Sequence, residues 1–213
     1  MSELDDPPVR GRPAIDPEEK RDELVQAALR VIQARGFEGA SLRQIAIEAG
    51  CTTGVLTHYF ANKEDLFRQL TNLMLEAMTD WGDQLVASGN VYEVLRQVLE
   101  APFATGEYSE VWYLWYQLLL KARVDGALAD KINVHARALH QKLEVLVSAA
   151  QSRGEVRDDQ AADLLVEQIV SVTEGWSLMA PVDPGRYNAT RREALVDLAL
   201  DGLRPPLANG AQT

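Results

Sequence analysis

Residues 41–63 read SLRQIAIEAGCTTGVLTHYFANK, and their pattern decides the fold. Ser41 stands three residues before Gln44. That is the spacing of a capping box, in which the serine oxygen accepts from the N3 amide and the glutamine reaches back. Leu42, Ile45, Ala46 and Ala49 then share one helical face. Gly50 ends this helix, since glycine reaches positive φ without a steric cost. Thr52 or Thr53 caps a second helix. Its apolar side is Val55, Leu56, Tyr59 and Phe60; Thr53, Gly54, Thr57 and His58 are left facing outward. Asn62 caps a third helix, with Asp65 at N3. A helix, a tight turn and a small helix with a polar outer face form a helix-turn-helix, which lays its second helix in the major groove.

Working outward, the N-terminal flank is equally well punctuated. Asp16 caps, Pro17 takes N1 and Glu19 takes N3 of a first helix. Leu24, Ala28, Val31 and Ile32 give its inward stripe, Gly36 ends it, and Phe37 plugs a small three-helix core. Residues 1–15 are rich in Pro, Gly and acid and read as a flexible arm. Within the arm, Arg10 and Arg12 flank Gly11, a pattern suited to a narrow minor groove.

The chain has 213 residues, 46% of them hydrophobic, enough for one large domain or two small ones. Its single cysteine, Cys51, excludes an intrachain disulfide and suits a reducing cytoplasm; its place in the turn suggests a small buried apolar group. The N-terminus is acidic and no stretch approaches the apolar length of a membrane span, so neither a signal peptide nor a span is expected. Net charge is −11. DNA binding needs a local basic face rather than a basic chain. Residues 10–70 hold nine basic and nine acidic groups, and the acid surplus lies outside them.

Beyond the turn unit, a connecting helix is expected over 63–85, its apolar face built from Leu66, Phe67, Leu70, Leu73, Met74 and Met78. Further helices are expected over 91–103, 109–122, 130–150, 158–180 and 187–203, with Asp130 as a cap. About nine helices result, an all-α chain. Its divisions are the arm (1–15), the helix-turn-helix domain (16–62), the connecting helix (63–85), a second helical domain (86–204) and a flexible tail (205–213).

The stretch GFEGASLRQIAIEAGCTTGVLTHYFANKEDLF (residues 36–67) resembles the DNA-binding signature of the TetR family of bacterial one-component repressors. The resemblance covers about residues 18–67, including the HYF run and the following NKEDL. Threonine at 57 before HYF is similar to the subgroup typified by the choline-responsive repressor of glycine betaine synthesis. The Glu174-Gly175-Trp176 segment and ALVDLALDGL near the end give further likeness over residues 85–203. The family resemblance implies a cytoplasmic all-helical homodimer. Its N-terminal domain would bind DNA, and its C-terminal domain would take an effector and dimerise.

Candidate DNA contacts follow from the turn unit. Ser41 and its neighbouring amides sit at a helix N-terminus, a natural phosphate seat, with Arg43 outward beside it. The second helix offers Thr52, Thr53, Gly54, Thr57 and His58. Thr57 can meet a thymine methyl. Tyr59 and Lys63 suit phosphates, which fix register rather than sequence. The resemblance places an effector between the fifth and eighth helices. Trp112, Tyr113, Trp115, Tyr116, His135, Glu174 and Trp176 are its candidate lining. Rings with a carboxylate can hold a quaternary ammonium, but also a flat apolar molecule, or simply fill a core. Leu165, Ile169, Thr173, Leu195 and Leu198 are candidates for the dimer interface. No metal-ligand cluster, phosphate loop or nucleophile elbow is present in the sequence, so neither a metal, a cofactor nor an enzyme is expected. The reading is a ligand-released repressor of a palindromic operator. A regulator without an effector and a helical protein-interaction module remain as alternatives.

Overall fold

The computed structural model describes residues 16–103 and 107–206, apart from the side chains of 107–111 and 113. Arg10, Arg12 and the side chain of Tyr113 therefore lie outside the described residues. Among the described residues the regular structure is nine α-helices and one 3-10 turn. The chain divides into two compact units between Lys63 and Glu64.

The first unit holds α1 (Pro17–Gly39), α2 (Leu42–Glu48) and α3 (Thr53–Tyr59). Asp16 caps α1 by accepting from the Glu18 amide at 3.0 Å. Gly36 breaks α1 with φ 70° and ψ 166°, a region that other residues barely enter. That break turns Phe37 into the core. Leu24, Ile32, Ile45, Leu56 and Phe60 are fully buried together with Ala27, Ala28 and Ala46. On the surface Arg30 of α1 bonds Glu48 of α2 at 2.8 Å.

The second unit comprises α4 (Lys63–Val86, whose first residue closes the first unit), α5 (Val91–Glu100), the 3-10 turn (Ala101–Phe103), α6 (Glu107–Ala122), α7 (Gly126–Ser152), α8 (Ala162–Met179) and α9 (Ala189–Asp201). Its core joins Val94 and Leu95 of α5 to Leu143 and Val147 of α7, Val166 and Ile169 of α8, and Val196 and Leu200 of α9. Each such side chain contributes about 1.5–3 kcal/mol by leaving water. Among the described residues, no helix is long and apolar enough to cross a membrane.

Several boundaries differ from the expected ones. Asp125, not Asp130, caps α7, accepting from the Leu128 amide at 3.1 Å. The helix must start there because Leu128 and Ile132 already belong to the buried face. Helix α8 begins at Ala162 rather than 158, since Gln151 holds the preceding turn by donating to the carbonyls of Arg157 and Gln160. Asn188 caps α9 through the Arg191 amide at 3.1 Å. In α9 the inward residues are Val196 and Leu200, with Leu203 just beyond the helix, while Ala194 and Leu198 face outward.

The expected dimer positions also divide. Leu165, Ile169 and Thr173 are buried inside the protomer, where α8 packs on α5 and α7. They are corrected to core residues: one apolar stripe of α8 is used up by its own chain. Leu195 is half-buried, while Leu198 is 70% exposed.

Candidate nucleic-acid interface

The turn unit is set by three local devices. Ser41 Oγ accepts from the Gln44 amide at 3.3 Å and donates to Gln44 Oε1 at 2.9 Å. The capping box thus closes side chain to side chain. Gly50 follows α2 with φ 62°, and the Cys51 amide returns to the Ala46 carbonyl at 2.9 Å. Thr52, not Thr53, caps α3, its Oγ1 accepting from the Val55 amide at 3.3 Å.

These devices fix which side of α3 is open. Leu56 and Phe60 are fully buried, so the helix is anchored by its C-terminal half. Thr52, Thr53, Gly54, Thr57 and His58 are exposed, and Tyr59 is half-buried. Gly54 leaves the first turn open: among the described residues a methyl group there would meet only Thr52 Oγ1, at 3.7 Å. Thr57 Oγ1 donates to the Gly54 carbonyl at 3.1 Å, which holds the rotamer and leaves its methyl and lone pairs for a ligand. The His58 ring stands edge-on to Tyr59, with centroids 5.3 Å apart. Ser41 and Arg43 are exposed at the start of α2.

Two positions differ from the sequence reading. Val55, assigned to the apolar side, is exposed beside Gly54. Helical phase explains this: one residue before Leu56 lies about 100° round the axis. The open face of α3 therefore includes an apolar side chain that hydropathy alone assigned to the core. Cys51 is half-buried rather than buried. Lys63 is already engaged, its Nζ donating to the Glu38 carbonyl at 3.0 Å and lying 4.7 Å from the centre of the Phe37 ring.

The aromatic set of the second unit is only partly gathered. Trp115 is buried, and its indole N–H lies near enough to the Glu174 carboxylate to favour its charged form. Tyr116 donates to the Glu174 carbonyl at 2.9 Å and meets Ser177 Oγ. Burial holds the Glu174 carboxyl above the ordinary glutamate range, opposed by His140 and by the Trp115 indole, while Glu167 adds to the rise. Burial likewise raises the Tyr116 phenol. Trp112 Nε1 donates to the Ala101 carbonyl at 3.1 Å. His135 faces α4, its Nδ1 3.0 Å from Thr79 Oγ1. Trp176 stacks on Phe103 at 5.7 Å, because two residues along α8 from Glu174 is about 200° of rotation. His140, which the sequence reading omitted, joins the Glu174 neighbourhood from α7, lying 3.5 Å from Glu167. No spacing signal marked it: five residues along α7 from His135 is about 500° of rotation, so the two rings leave the helix on different sides. The shallow grooves of this unit, about 580 and 560 Å³, run along α7 past Val145 and Ala149 and are lined by none of the aromatic set.

Residues 24–70 match the bacterial regulatory proteins of the tetR family, and residues 91–205 match the C-terminal domain of BetI-type transcriptional repressors. The HTH-type transcriptional regulator PksA of Bacillus subtilis is 26% identical over 187 residues, covering 85% of this chain and 88% of that protein. The HTH-type transcriptional regulator BetI of Vibrio campbellii is 24% identical over 193 residues, covering 87% and 92%. A transcriptional regulator from Saccharomonospora viridis, solved in complex with choline, shares the fold with a TM-score of 0.72 at 20% identity, covering 86% of this chain and 95% of that one. The chain belongs to the TetR family of bacterial regulatory proteins, with a BetI-type C-terminal half, and is a transcription regulator acting through its helix-turn-helix rather than an enzyme.

Proposed function

We propose that the protein represses transcription by binding a palindromic operator as a homodimer and is released by a small-molecule effector. The observation that carries this reading is the open face of α3. Thr53, Gly54, Val55, Thr57 and His58 are exposed around a helix whose Leu56 and Phe60 are fully buried. A rigid anchor with a polar, partly apolar outer edge suits base-edge readout. Ser41, Arg43, Tyr59 and Lys63 are the phosphate contacts in this reading, and Arg10 and Arg12 reach the minor groove. Two such heads must present α3 about 34–36 Å apart, or further by whole helical turns.

For the effector we favour a small organic cation of the choline type. Support comes from a half-buried carboxylate, Glu174, beside the Trp115 and Tyr116 rings, together with the choline bound in the Saccharomonospora viridis regulator. Helix α4 runs unbroken from Lys63 to Val86, so a displacement of its C-terminal end is passed along the chain to the turn unit. Release is then a population shift, limited by the effector's differential affinity for the two states. The test is selection of bound genomic fragments by purified protein, followed by titration with choline. A recovered palindrome that choline releases supports the whole reading. A palindrome that choline leaves bound removes the effector class and keeps the repressor.

A further inference from the structure

His140 of α7 stands against α8 in a way that fixes where its hydrogen sits. Its Nδ1 lies 2.8 Å from the Ala136 carbonyl, one turn back along α7. A carbonyl only accepts, so Nδ1 carries the hydrogen. In the neutral ring Nε2 is then a bare acceptor. It faces Glu167 Oε2 at 3.5 Å. Two acceptors gain nothing from each other, whereas a proton on Nε2 turns the contact into an ion pair. The other oxygen of that carboxylate, Glu167 Oε1, accepts from Ser171 Oγ at 3.2 Å, which helps to fix its direction.

The same imidazole acts on Glu174, whose charged form it favours. Glu167 and Glu174 are seven residues apart on α8, nearly two full turns, so both leave the same side of the helix, about 10 Å apart along its axis. A half-buried carboxylate needs a counter-charge or a proton of its own. The described groups around the ring leave that task to His140. Lys142 is turned to Asp83 of α4 at 2.5 Å, and Arg96 of α5 to Asp197 of α9 at 2.6 Å. On α7 itself, Arg137 and Glu144 stand about a turn to either side, Arg137 exposed and Glu144 half-buried. From α6 comes the Tyr116 phenol, which bonds the Glu174 carbonyl and brings no positive charge.

We propose that the charged His140 ring serves the Glu167–Glu174 pair as an internal cation, and that a permanently charged organic cation, on binding, displaces its proton to solvent. The proposal rests on the effector reading above and adds how binding is linked to pH. The His140–Glu167 contact suits exchange: the two side chains are 27% and 66% exposed, and so wet an ion pair is weak. A cation seated at Glu174 beside the Trp115 and Tyr116 rings repels the imidazolium. Once neutral, the ring keeps its hydrogen bond to Ala136, so the site loses one positive charge as it gains another and nothing has to move. The sign follows from linkage. Acid favours the charged ring and weakens the effector, and raising the pH through the histidine range strengthens it. An uncharged molecule of the same shape gains nothing by expelling the proton.

The test is calorimetric titration of the full chain with choline, repeated in buffers of different protonation enthalpy, which reads affinity and released protons together. Affinity should rise about tenfold from about pH 5.5 to about pH 8, with protons released on binding between them. His140→Gln should lose the histidine part of that rise and keep only the acid-side loss that Glu174 causes. His140→Lys, a cation throughout, should bind choline about tenfold more weakly than His140→Gln at about pH 8. At fixed pH, magnetic resonance of the ring hydrogens, assigned by their loss in His140→Gln, should show the charged fraction of His140 falling as choline is added. The carbon isostere of choline, with tert-butyl in place of trimethylammonium, should leave that fraction unchanged. Choline that binds without altering the charge of His140, or a His140→Lys variant that binds as His140→Gln does, overturns the competition and leaves the effector reading standing. Choline that binds at no pH overturns both.

Discussion

The ammonium of Lys63 donates to the backbone carbonyl of Glu38 at 3.0 Å, at the far side of the turn unit in sequence. The same group lies over the Phe37 ring. The first residue of α4 thus ties down the segment that follows the Gly36 break in α1. A charge-assisted bond and a cation–π contact at a partly exposed site together contribute about 1–2 kcal/mol. Lys63→Met should lower the stability of the first unit by about that amount in urea denaturation. Because the lysine is also a proposed phosphate contact, affinity for all duplexes should fall and the slope of log affinity on log salt should become shallower by about 0.9.

Gly36 adopts φ 70° and ψ 166°. Gly36→Ala forces a side chain into that region and should destabilise the unit by about 1–3 kcal/mol. Chemical denaturation followed by circular dichroism reads this directly. No described residue lies within 4 Å of a methyl group there, so a large loss reads as backbone strain and not as a clash among them.

At Thr57 the hydroxyl is occupied by the Gly54 carbonyl, and the methyl is what remains most available. Thr57→Val keeps the methyl and Thr57→Ala does not. Alanine should therefore weaken operator binding by about 1–3 kcal/mol, while valine should stay within about 1 kcal/mol of the native protein. Fluorescence anisotropy on the selected operator and on a scrambled duplex separates the specific loss from a general one.

Burial raises the Glu174 carboxyl, so the folded chain keeps this proton to a higher pH than the unfolded chain does. In the window from the ordinary glutamate value of about 4.3 up to the raised value, the folded state binds more protons. Stability from this group is therefore greatest below the window and falls as pH rises through it. Glu174→Gln should flatten that part of the melting-temperature profile. It should also weaken a cationic effector by about tenfold, since the attracting charge is gone.

Much of this was legible in the residues. Asp16, Ser41, Gly50 and Thr52 are punctuation, and local chemistry places them without any knowledge of the rest. The cap of α7 was misplaced because Asp125 and Asp130 both precede apolar periodicity; only the packing of Leu128 decides between them. Helix α8 hid its outer face for a different reason. It carries two apolar stripes, and periodicity cannot say which one the protomer buries. Leu165 and Ile169 satisfy the monomer, and Leu164 and Leu178 are left over. The aromatic set of the second unit was the least legible part. Composition suggested one lining, whereas rotation along α8 sends Glu174 towards Trp115 and Trp176 towards Phe103.

The most direct measurement is the affinity of the full chain for its selected operator, with and without Thr53→Ala, Thr57→Ala and His58→Ala combined. The account predicts that the native protein discriminates the palindrome from scrambled duplex. The triple variant, still folded, should bind both alike, with the salt dependence of phosphate contact alone. If the triple variant keeps the native preference for the palindrome, α3 does not read the bases and the account is wrong.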